Sequence, residues 1–513
     1  MRSLRAFSKK TECPVVVTKR ASIAIRSSAA AAFTGRTARA VMALVGVAVT
    51  TTVASSRADE PRPGGAPIVI GDRLELFVDD RLVDATKGVA FHMHEPVRQP
   101  PARSPLPRGS YGTIIKDGEV YRAYYRSEIP GYDGQREEGH PGEITCCAES
   151  RDGIEWTFPD WGITDVRSPQ GNNVILTGQS PFSHNFSPFL DARPGVEPAS
   201  RYKALAGGHK SGLHAFRSAD GLKWTKVQET PVMKTPAASI APFGPWAFDS
   251  QNVAFWSEAE QCYVCFVRTW SQDVRGISRS TSPDFVHWSP PVDTKANGPN
   301  ENLYTSQTHP YYRAPHIYIA TPMRFVQGLL MGEPVEGNNG SSDILLMSMR
   351  AGAASYHRAF REAFIRPGLD PRRWERKANS AWRNVVPTGP AEMSIYHVSG
   401  DRYTLRTDGF ISLRAGVVDG EFLTKPLVFS GAALSVNFST GAAGGMRIEI
   451  QDAAGQIIPG FGLEECVPLV GDAIERCVQW KSGPQLGTLA GRPVRLRFEM
   501  RECDLYAIRF GTP

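Results

Sequence analysis

Beyond residue 67 most of the chain alternates apolar and polar positions with a period of two, which is typical of half-buried β-strands. Residues 495–500, for example, read Arg-Leu-Arg-Phe-Glu-Met. Segments with the helical period are scarce, and the 48 Gly and 39 Pro supply many turns between short strands. The pattern predicts an all-β protein.

A turn of the form Ser-x-Asp-Gly-x-x-Trp recurs along the first half of the chain. It occurs at residues 150–156 and 218–224, and in altered form at 282–288. An Asp-Gly pair favours a tight turn in which the carboxylate accepts hydrogen bonds from backbone N–H groups. The Trp would then pack the outer strand onto its neighbour.

A second repeat consists of five strand pairs. The later strand of each pair begins at a tyrosine, at Tyr121, Tyr202, Tyr263, Tyr318 and Tyr403. The earlier strands cover residues 111–115, 185–190, 251–256, 308–312 and 393–398. Five units of short strands predict a five-bladed β-propeller over residues 68–406. Residues 407–513 lack the Trp turn and predict a C-terminal β-sandwich.

The net charge of +6 comes from the N-terminus. Residues 1–58 contain ten basic side chains and one acidic one, so the remainder of the chain is slightly acidic. An apolar run at residues 40–54 and a small-residue triplet before Asp59 predict a signal peptide cleaved near Ala58. The run is shorter than the roughly 20 residues of a membrane span. We expect a secreted, periplasmic or cell-surface protein with no stable membrane span and no nucleic-acid partner.

Seven cysteines follow the leader, and none has the spacing of a metal-binding motif. Cys466 and Cys477, which could flank a hairpin, are the best candidates for a disulfide. We therefore expect no cofactor and no metal, although a structural Ca²⁺ in the central channel is compatible with such folds.

Three features resemble a known group of proteins. These are the segment Leu-Phe-Val-Asp-Asp-Arg-Leu-Val-Asp at residues 76–84, the Asp-Gly-x-x-Trp turns, and the C-terminal segment at 447–452 with Gly460 and Phe461. Together they resemble secreted bacterial proteins related to the five-bladed propeller glycoside hydrolases of families 32, 43 and 68. The family 32 motifs W-M-N-D-P-N and R-D-P do not occur in the sequence, so catalytic residues are inferred from geometry instead.

In a propeller the residues that open the innermost strands face the central mouth. Two of them, Asp249 and Glu392, are acidic. Glycoside hydrolysis needs one protonated and one ionised carboxyl group, and Glu392, with apolar neighbours, is the predicted general acid and Asp249 the base. The alternative is that both carboxylates only cap backbone N–H groups. Asp79, Asp80 and Glu143 are reserve acids.

Other predicted mouth residues would bind substrate. They are His184, Asn185, Gln307, His309 and Trp270, together with four arginines at the ends of second strands, Arg126, Arg268, Arg324 and Arg406. Guanidinium groups pair with carboxylate or sulfate, which favours an anionic sugar. Equally, the arginines could neutralise the catalytic carboxylates.

The sequence thus predicts a secreted glycoside hydrolase acting on a poly- or oligosaccharide. The alternative is a non-catalytic carbohydrate-binding or cell-surface propeller protein. A sialidase-like enzyme is disfavoured, because the turn lacks the spacer between Asp and Gly and five units rather than six are counted.

Overall fold

The computed structural model describes residues 66–235, 247–271, 274–299, 301–329, 331 and 339–512. Within these residues the chain forms β-strands and short 3₁₀ helices but no α-helix, so the predicted all-β class is confirmed. No helix in the described part is long and apolar enough to cross a bilayer. The predicted leader at residues 1–58 lies outside the described residues. The 3₁₀ helices are Phe182–His184, Pro198–Ser200, Pro371–Trp374 and Leu486–Leu489.

Five strands precede the first repeat. They are β1 (Ile68–Gly71), β2 (Leu74–Leu76), β3 (Val83–Lys87), β4 (Val89–Met93) and β5 (Val97–Arg98). Residues 68–98 were predicted to belong to the propeller. In the structure β1 to β4 instead join the C-terminal sheet described below, and β5 completes the last of the repeated sheets.

Three four-stranded antiparallel sheets follow, which we call meanders one to three. Meander one contains β6 (Ser110–Asp117), β7 (Val120–Glu128), β8 (Glu143–Ser150) and β9 (Val174–Leu176). Meander two contains β10 (Ser187–Leu190), β11 (Tyr202–Gly208), β12 (Gly212–Ser218) and β13 (Thr225–Lys226). Meander three contains β14 (Val253–Ser257), β15 (Cys262–Ser271), β16 (Val274–Ser282) and β17 (Val292–Asp293).

The fourth repeat is divided into two three-stranded sheets, which we call meander four together. One contains β18 (Asn302–Leu303), β21 (Met323–Gln327) and β22 (Gly340–Ile344), and the other β19 (His309–Tyr311), β20 (Ala314–Ala320) and β23 (Met347–Arg350). Pro322 lies between β20 and β21. Because proline cannot donate a ladder hydrogen bond, the strand is interrupted at this point.

Meander five has the order β24 (Val386–Pro387), β25 (Glu392–Tyr396), β26 (Arg402–Arg406) and then β5. Its outer strand therefore comes from the N-terminal side of the chain. Residues 393–398 were predicted as the innermost strand. They form the second strand, because residues 381–387 precede them on the inside, where Arg383 bridges to Thr113 of meander one.

The remaining strands are β27 (Ile411–Ala415), β28 (Gly420–Thr424), β29 (Leu427–Phe429), β30 (Ala433–Asp452), β31 (Asp472–Cys477) and β32 (Val494–Gly511). With β1 to β4 they form one ten-stranded sheet organised around the long strands β30 and β32. Stacked phenylalanines fill its core. The rings of Phe429 and Phe510 lie 3.8 Å apart, and those of Phe422 and Phe498 lie 4.3 Å apart.

The repeated turn has the predicted structure. Asp152 Oδ1 accepts hydrogen bonds from the backbone N–H groups of Ile154 (2.7 Å) and Glu155 (2.9 Å). Gly153 has a φ of 72°, and the Trp156 side chain is buried. In the altered copy Phe285 adopts the same φ of 72°, so the turn is kept where glycine is missing.

The predicted disulfide is not formed in the structure, where all seven described cysteines are free thiols. Cys466 is buried and Cys477 is exposed. Cys477 ends β31, whereas the Cys466 sulfur accepts a hydrogen bond from the backbone of Ile448 in β30, so the two side chains have different neighbours.

Candidate active site

Two adjoining cavities open at the end of the meanders where the inner strands begin. The smaller has a volume of about 230 Å³ and the larger about 920 Å³, and both are lined by Glu137, Glu138 and His184. We call them together the mouth, with a smaller and a larger lobe. Tyr111 and Tyr304 line the smaller lobe, whereas Asp249 and Trp270 line the larger one.

Asp249 and Glu138 form a close carboxyl pair at the larger lobe, with a carboxylate oxygen of each within 4.8 Å of the other. Asp249 immediately precedes the inner part of meander three, and Glu138 lies in the connection between β7 and β8. Burial, together with the hydrogen bond and negative charge of Glu138, raises the pKa of Asp249 to about 7.

The pKa of Glu138 moves the other way. Partial desolvation alone would raise it, but the hydrogen bond from Asp249 and the positive charges of Lys377 and Arg268 lower the pKa of Glu138 below its usual value. The two opposite shifts make Asp249 the favoured site of protonation within the pair.

A second carboxylate, the reserve acid Glu143, lies in the smaller lobe. It opens β8, opposite the end of β7, as predicted. Its Oε1 is 2.9 Å from His184 Nδ1 and 3.4 Å from Arg126 Nη1. The Arg126 guanidinium also lies 4.8 Å from the centre of the Tyr111 ring. These contacts fix the orientation of the His184 ring beside Glu138 and Asp249.

Glu138, His184 and Asp249 each place one potential ligand atom within 4.8 Å of the others. A divalent cation could bridge such a spacing. The proton shared by the two carboxyl groups and the neighbouring charges of Arg268 and Lys377 oppose an additional positive charge there. The expectation of no metal stays a prediction.

One of the four predicted arginines lines the mouth, and a second lies directly behind it. Arg126 lines the smaller lobe, and Arg268 lies behind Asp249, where its Nη1 donates to the Asp249 carbonyl oxygen at 2.8 Å. Arg324 instead donates from Nε to Asp343 Oδ1 at 2.9 Å. Arg406 contacts the C-terminal sheet, donating to Asn437 Oδ1 at 3.0 Å. Arg324 and Arg406 therefore lie away from the mouth.

Three of the predicted substrate-binding residues are buried between strands. Asn185 donates to the Ser250 carbonyl oxygen at 2.8 Å, and Gln307 donates to Gln251 Oε1 at 2.9 Å. His309 Nε2 accepts from the Val385 backbone N–H at 3.1 Å, and burial lowers the pKa of His309 to about 4. Gln307 and His309 connect inner strands and do not line the mouth. Asn185 does line the larger lobe.

The structure does not bring Glu392 to Asp249. Glu392 opens the second strand of meander five, and in an antiparallel meander second strands begin at the rim opposite the mouth. Its Oε1 is 2.8 Å from Arg402 Nη1, and it lines a separate cavity with His94 and Arg406. The Glu392 side chain is 39% exposed, so its apolar neighbours in sequence do not bury it. The predicted pairing rested on the wrong inner strand.

The reserve acids Asp79 and Asp80 are also away from the mouth. Both Asp79 carboxylate oxygens accept from Arg350, at 2.7 and 2.9 Å, in an ion pair that also includes Glu75. Asp80 is largely exposed. Both lie between β2 and β3, which pair with the C-terminal sheet.

Sequence reasoning missed Glu138, Lys377, Tyr304 and Arg275, all of which line the mouth. For Glu138 a signal was present. The connection between the second and third strands of the first repeat opens on the same rim as Glu143, and it contains the polar run Arg-Glu-Glu at residues 136–138. The other three lie in segments that the repeat pattern did not place.

Comparison with known proteins finds no matching family model and no significantly similar curated protein. Among solved structures, the α-L-arabinofuranosidase PaAbf62A from Podospora anserina, in complex with cellotriose, matches with 10% identity, 61% of this protein and 96% of that one covered, and a TM-score of 0.39. The β-1,2-mannobiose phosphorylase from Listeria innocua matches with 8% identity, 62% and 96% coverage, and a TM-score of 0.38. The Bombyx mori GH32 β-fructofuranosidase matches with 11% identity, 85% and 96% coverage, and a TM-score of 0.35.

Glycoside hydrolases thus occur among the structural neighbours. At this distance no activity, substrate or site residue is transferred from them.

Proposed function

We propose that this protein is a glycoside hydrolase that cleaves a poly- or oligosaccharide in the mouth, with Asp249 as general acid and Glu138 as general base. The observation that carries the proposal is the close Asp249–Glu138 carboxyl pair, whose carboxylate oxygens lie within 4.8 Å of each other. Two carboxyl groups whose environments push their pKa values apart are suited to opposite roles, one donating and one accepting a proton.

The proton transfers of the proposed reaction follow from that pair. Asp249 donates its proton to the leaving glycosidic oxygen, and Glu138 accepts a proton from the attacking water. Because the attacking water must fit beside the base, the two carboxyl groups must first separate to the roughly 6.5–9.5 Å of an inverting acid–base pair. Glu138 lies outside any strand and is exposed, so its side chain can turn from Asp249 without breaking a sheet hydrogen bond.

The architecture that we propose is a five-bladed β-propeller followed by a C-terminal β-sandwich. Its support is the sheet order. Meanders one, two, three and five have four strands each, and meander four has the strand order of one blade divided into two halves. The N-terminal strand β5 would close the ring by completing the blade formed by residues 386–406.

We further propose export of the protein and removal of residues 1–58. The basic N-terminal region, the apolar run and the small residues before Asp59 support this. Mass spectrometry of the N-terminus of exported protein should identify Asp59, and a mature protein that begins upstream of the apolar run would contradict cleavage there.

The catalytic proposal is tested by reducing-end release from a panel of polysaccharides. We expect Asp249→Asn and Glu138→Gln each to lower turnover about 10²- to 10⁴-fold, the usual range for a general acid or base. Asp80→Asn, which removes an exposed carboxylate away from the mouth, is the matched control and should retain full turnover.

Glu392→Gln separates the two possible acid–base pairs. Turnover should survive this substitution if Asp249 and Glu138 perform the chemistry. If Glu392→Gln abolishes turnover and Glu138→Gln does not, our assignment is wrong. Saccharide binding with no turnover in the wild-type protein would favour the non-catalytic carbohydrate-binding alternative.

A further inference from the structure

Two arginines beside Asp249 have no carboxylate partner among the described residues. Arg268 is 3% exposed, and its Nη1 donates to the Asp249 carbonyl oxygen, but its Nε and Nη2 have no hydrogen-bond partner. Arg275 has an equally unpartnered Nε, and its Nη1 reaches only the amide oxygen of Asn302, at 3.4 Å. A buried cation without a counter-charge is costly.

Aromatic rings hold both guanidinium groups in place. Trp270 and Arg275 are direct partners across the β15–β16 hairpin, and the Arg275 guanidinium lies 4.3 Å from the Trp270 ring centre. The Arg268 guanidinium lies 4.7 Å from the centre of the Tyr304 ring. Stacking of this kind fixes a guanidinium plane and leaves its N–H edge free to bind a ligand.

Other arginines further along the chain are neutralised by carboxylates. Arg324 pairs with Asp343, and Arg358 pairs with Glu301. Arg275 differs, because burial and the positive charges of Arg268 and Arg376 lower its pKa to about 10. Positive charge is thus concentrated on one side of Asp249.

The larger lobe of the mouth gives this charge access to a ligand. Arg275 lines it together with Trp270, Arg376 and Asp249, and its volume of about 920 Å³ accommodates sugar residues. We propose that Arg275, supported by the charge of Arg268, forms a subsite for an anionic substituent of the saccharide, either a carboxylate or a sulfate ester. This subsite rests on the proposed function, since it identifies the class of sugar bound next to Asp249.

The chemistry favours an oxyanion. An arginine edge donates two parallel N–H groups, which match the oxygens of a carboxylate or a sulfate ester. Such a group would accept hydrogen bonds from the guanidinium edge that faces the lobe and would supply the missing counter-charge to Arg275. A neutral hydroxyl group could accept a hydrogen bond but could not supply the counter-charge.

The test compares sugars that differ only in charge, with binding as the measurement. Saturation-transfer NMR titrations of the wild-type protein use glucuronate against glucose, and galactose 6-sulfate against galactose. We expect at least one anionic sugar to bind about tenfold or more tightly than its neutral counterpart. The preference should weaken as salt concentration rises and should be lost in Arg275→Gln.

Arg193→Gln is the matched control, since Arg193 also stacks on a tryptophan, 5.7 Å from the Trp256 ring centre, but does not line the mouth. It should keep the preference. Arg275→Gln should melt no lower than wild type, because an unpaired charge is removed, and Arg275→Lys should restore part of the preference. A preference for one anion only identifies which oxyanion the subsite takes.

Equal binding of charged and neutral sugars, or a preference that survives in a folded Arg275→Gln protein, overturns the subsite. So does the absence of saturable binding by any anionic probe. Failure of the hydrolase proposal is distinguishable, because it appears as a lack of reducing ends while the binding preference remains.

Discussion

At the scale of single residues, the mouth is defined by charges whose environments shift their protonation. Asp249 keeps its proton because it is buried next to Glu138, whereas Glu138 loses its own to the field of Lys377 and Arg268. Each residue of the pair therefore controls the titration of the other.

Glu138→Gln should change the pH dependence of any turnover that survives. With Asp249 as the proposed general acid, the wild-type protein should lose activity as pH rises through about 7, where Asp249 gives up its proton. Without the negative charge of Glu138 the pKa of Asp249 falls, so this alkaline limb should move to lower pH. The measurement is kcat/KM against pH, and an unmoved limb would show that Asp249 does not set it.

A second prediction concerns His309, which burial holds neutral with a pKa of about 4 against an ordinary value of 6.5. Below about pH 6.5 the unfolded chain binds a proton that the folded chain excludes. The free energy of unfolding should therefore fall as pH drops from 6.5 towards 4, by at most about 1.4 kcal/mol per pH unit.

Urea unfolding between pH 7 and 4 measures this slope. His309→Gln, which retains a donor and an acceptor, should make the slope shallower, while the exposed-histidine control His287→Gln should leave it unchanged. Identical slopes in all three proteins would show that His309 does not contribute.

Single residues were predictable where the strand pattern fixed them. Arg126 and Glu143 lie near strand ends, and His184 and Asp249 lie a few residues before the inner strands β10 and β14; all four line the mouth. Glu138 was missed because it lies within a connection, where no periodicity determines direction. Glu392 was misplaced because its strand was given the wrong number within its sheet.

At the scale of elements, that misnumbering has a physical cause. The inner strand of the last meander, β24, is only two residues long and contains Pro387, so no alternating pattern marks it, and β25 was predicted as innermost instead. The outer strand of the same sheet, β5, comes from far away in sequence. Local periodicity shows that strands exist, but it does not reveal a strand contributed from elsewhere. The Asp-Gly turns, which depend only on neighbouring residues, were predictable.

The contact between meanders five and one should be sensitive to added volume. Gly112 in β6 lies against Trp382, and a Cβ atom there would come within 2.0 Å of the indole ring. Trp382 cannot retreat easily, because its Nε1 donates to the Gly109 carbonyl oxygen at 2.8 Å and its ring stacks on Tyr125. Gly112→Ala should therefore lower the free energy of unfolding by about 1–3 kcal/mol.

Chemical denaturation compares Gly112→Ala with Gly416→Ala, where a Cβ atom meets nothing within 4 Å. The control should remain within about 0.5 kcal/mol of wild type. Equal stability of the two variants would mean that Trp382 is not packed on β6 as described.

At the scale of the whole molecule, the two ends of the described chain fold together. β1 pairs in parallel with β29, and β2 and β3 pair with β32 and β28. The sequence predicted a C-terminal sandwich beginning at residue 407 and did not assign β1 to β4 to it. These strands were missed because they lie more than 300 residues before the strands with which they pair. No local pattern reports a pairing over that distance.

The N-terminal strands should therefore be required for the whole described structure. Leu76, Phe77, Val78 and Leu82 are at most 1% exposed, and the Phe77 ring lies 5.5 Å from that of Phe422. Full burial of one such side chain contributes about 1.5–3 kcal/mol, so the four together match the entire stability of a typical domain, about 5–15 kcal/mol.

A chain beginning at residue 99 also loses β5 and leaves the edge of β26 unpaired. We expect it to be insoluble or to lack a cooperative unfolding transition, whereas a chain beginning at Asp59 keeps every strand and should unfold cooperatively. Soluble expression, near-ultraviolet circular dichroism and thermal unfolding of the two chains decide the matter, and equal melting temperatures would show that the C-terminal sheet is complete without β1 to β4.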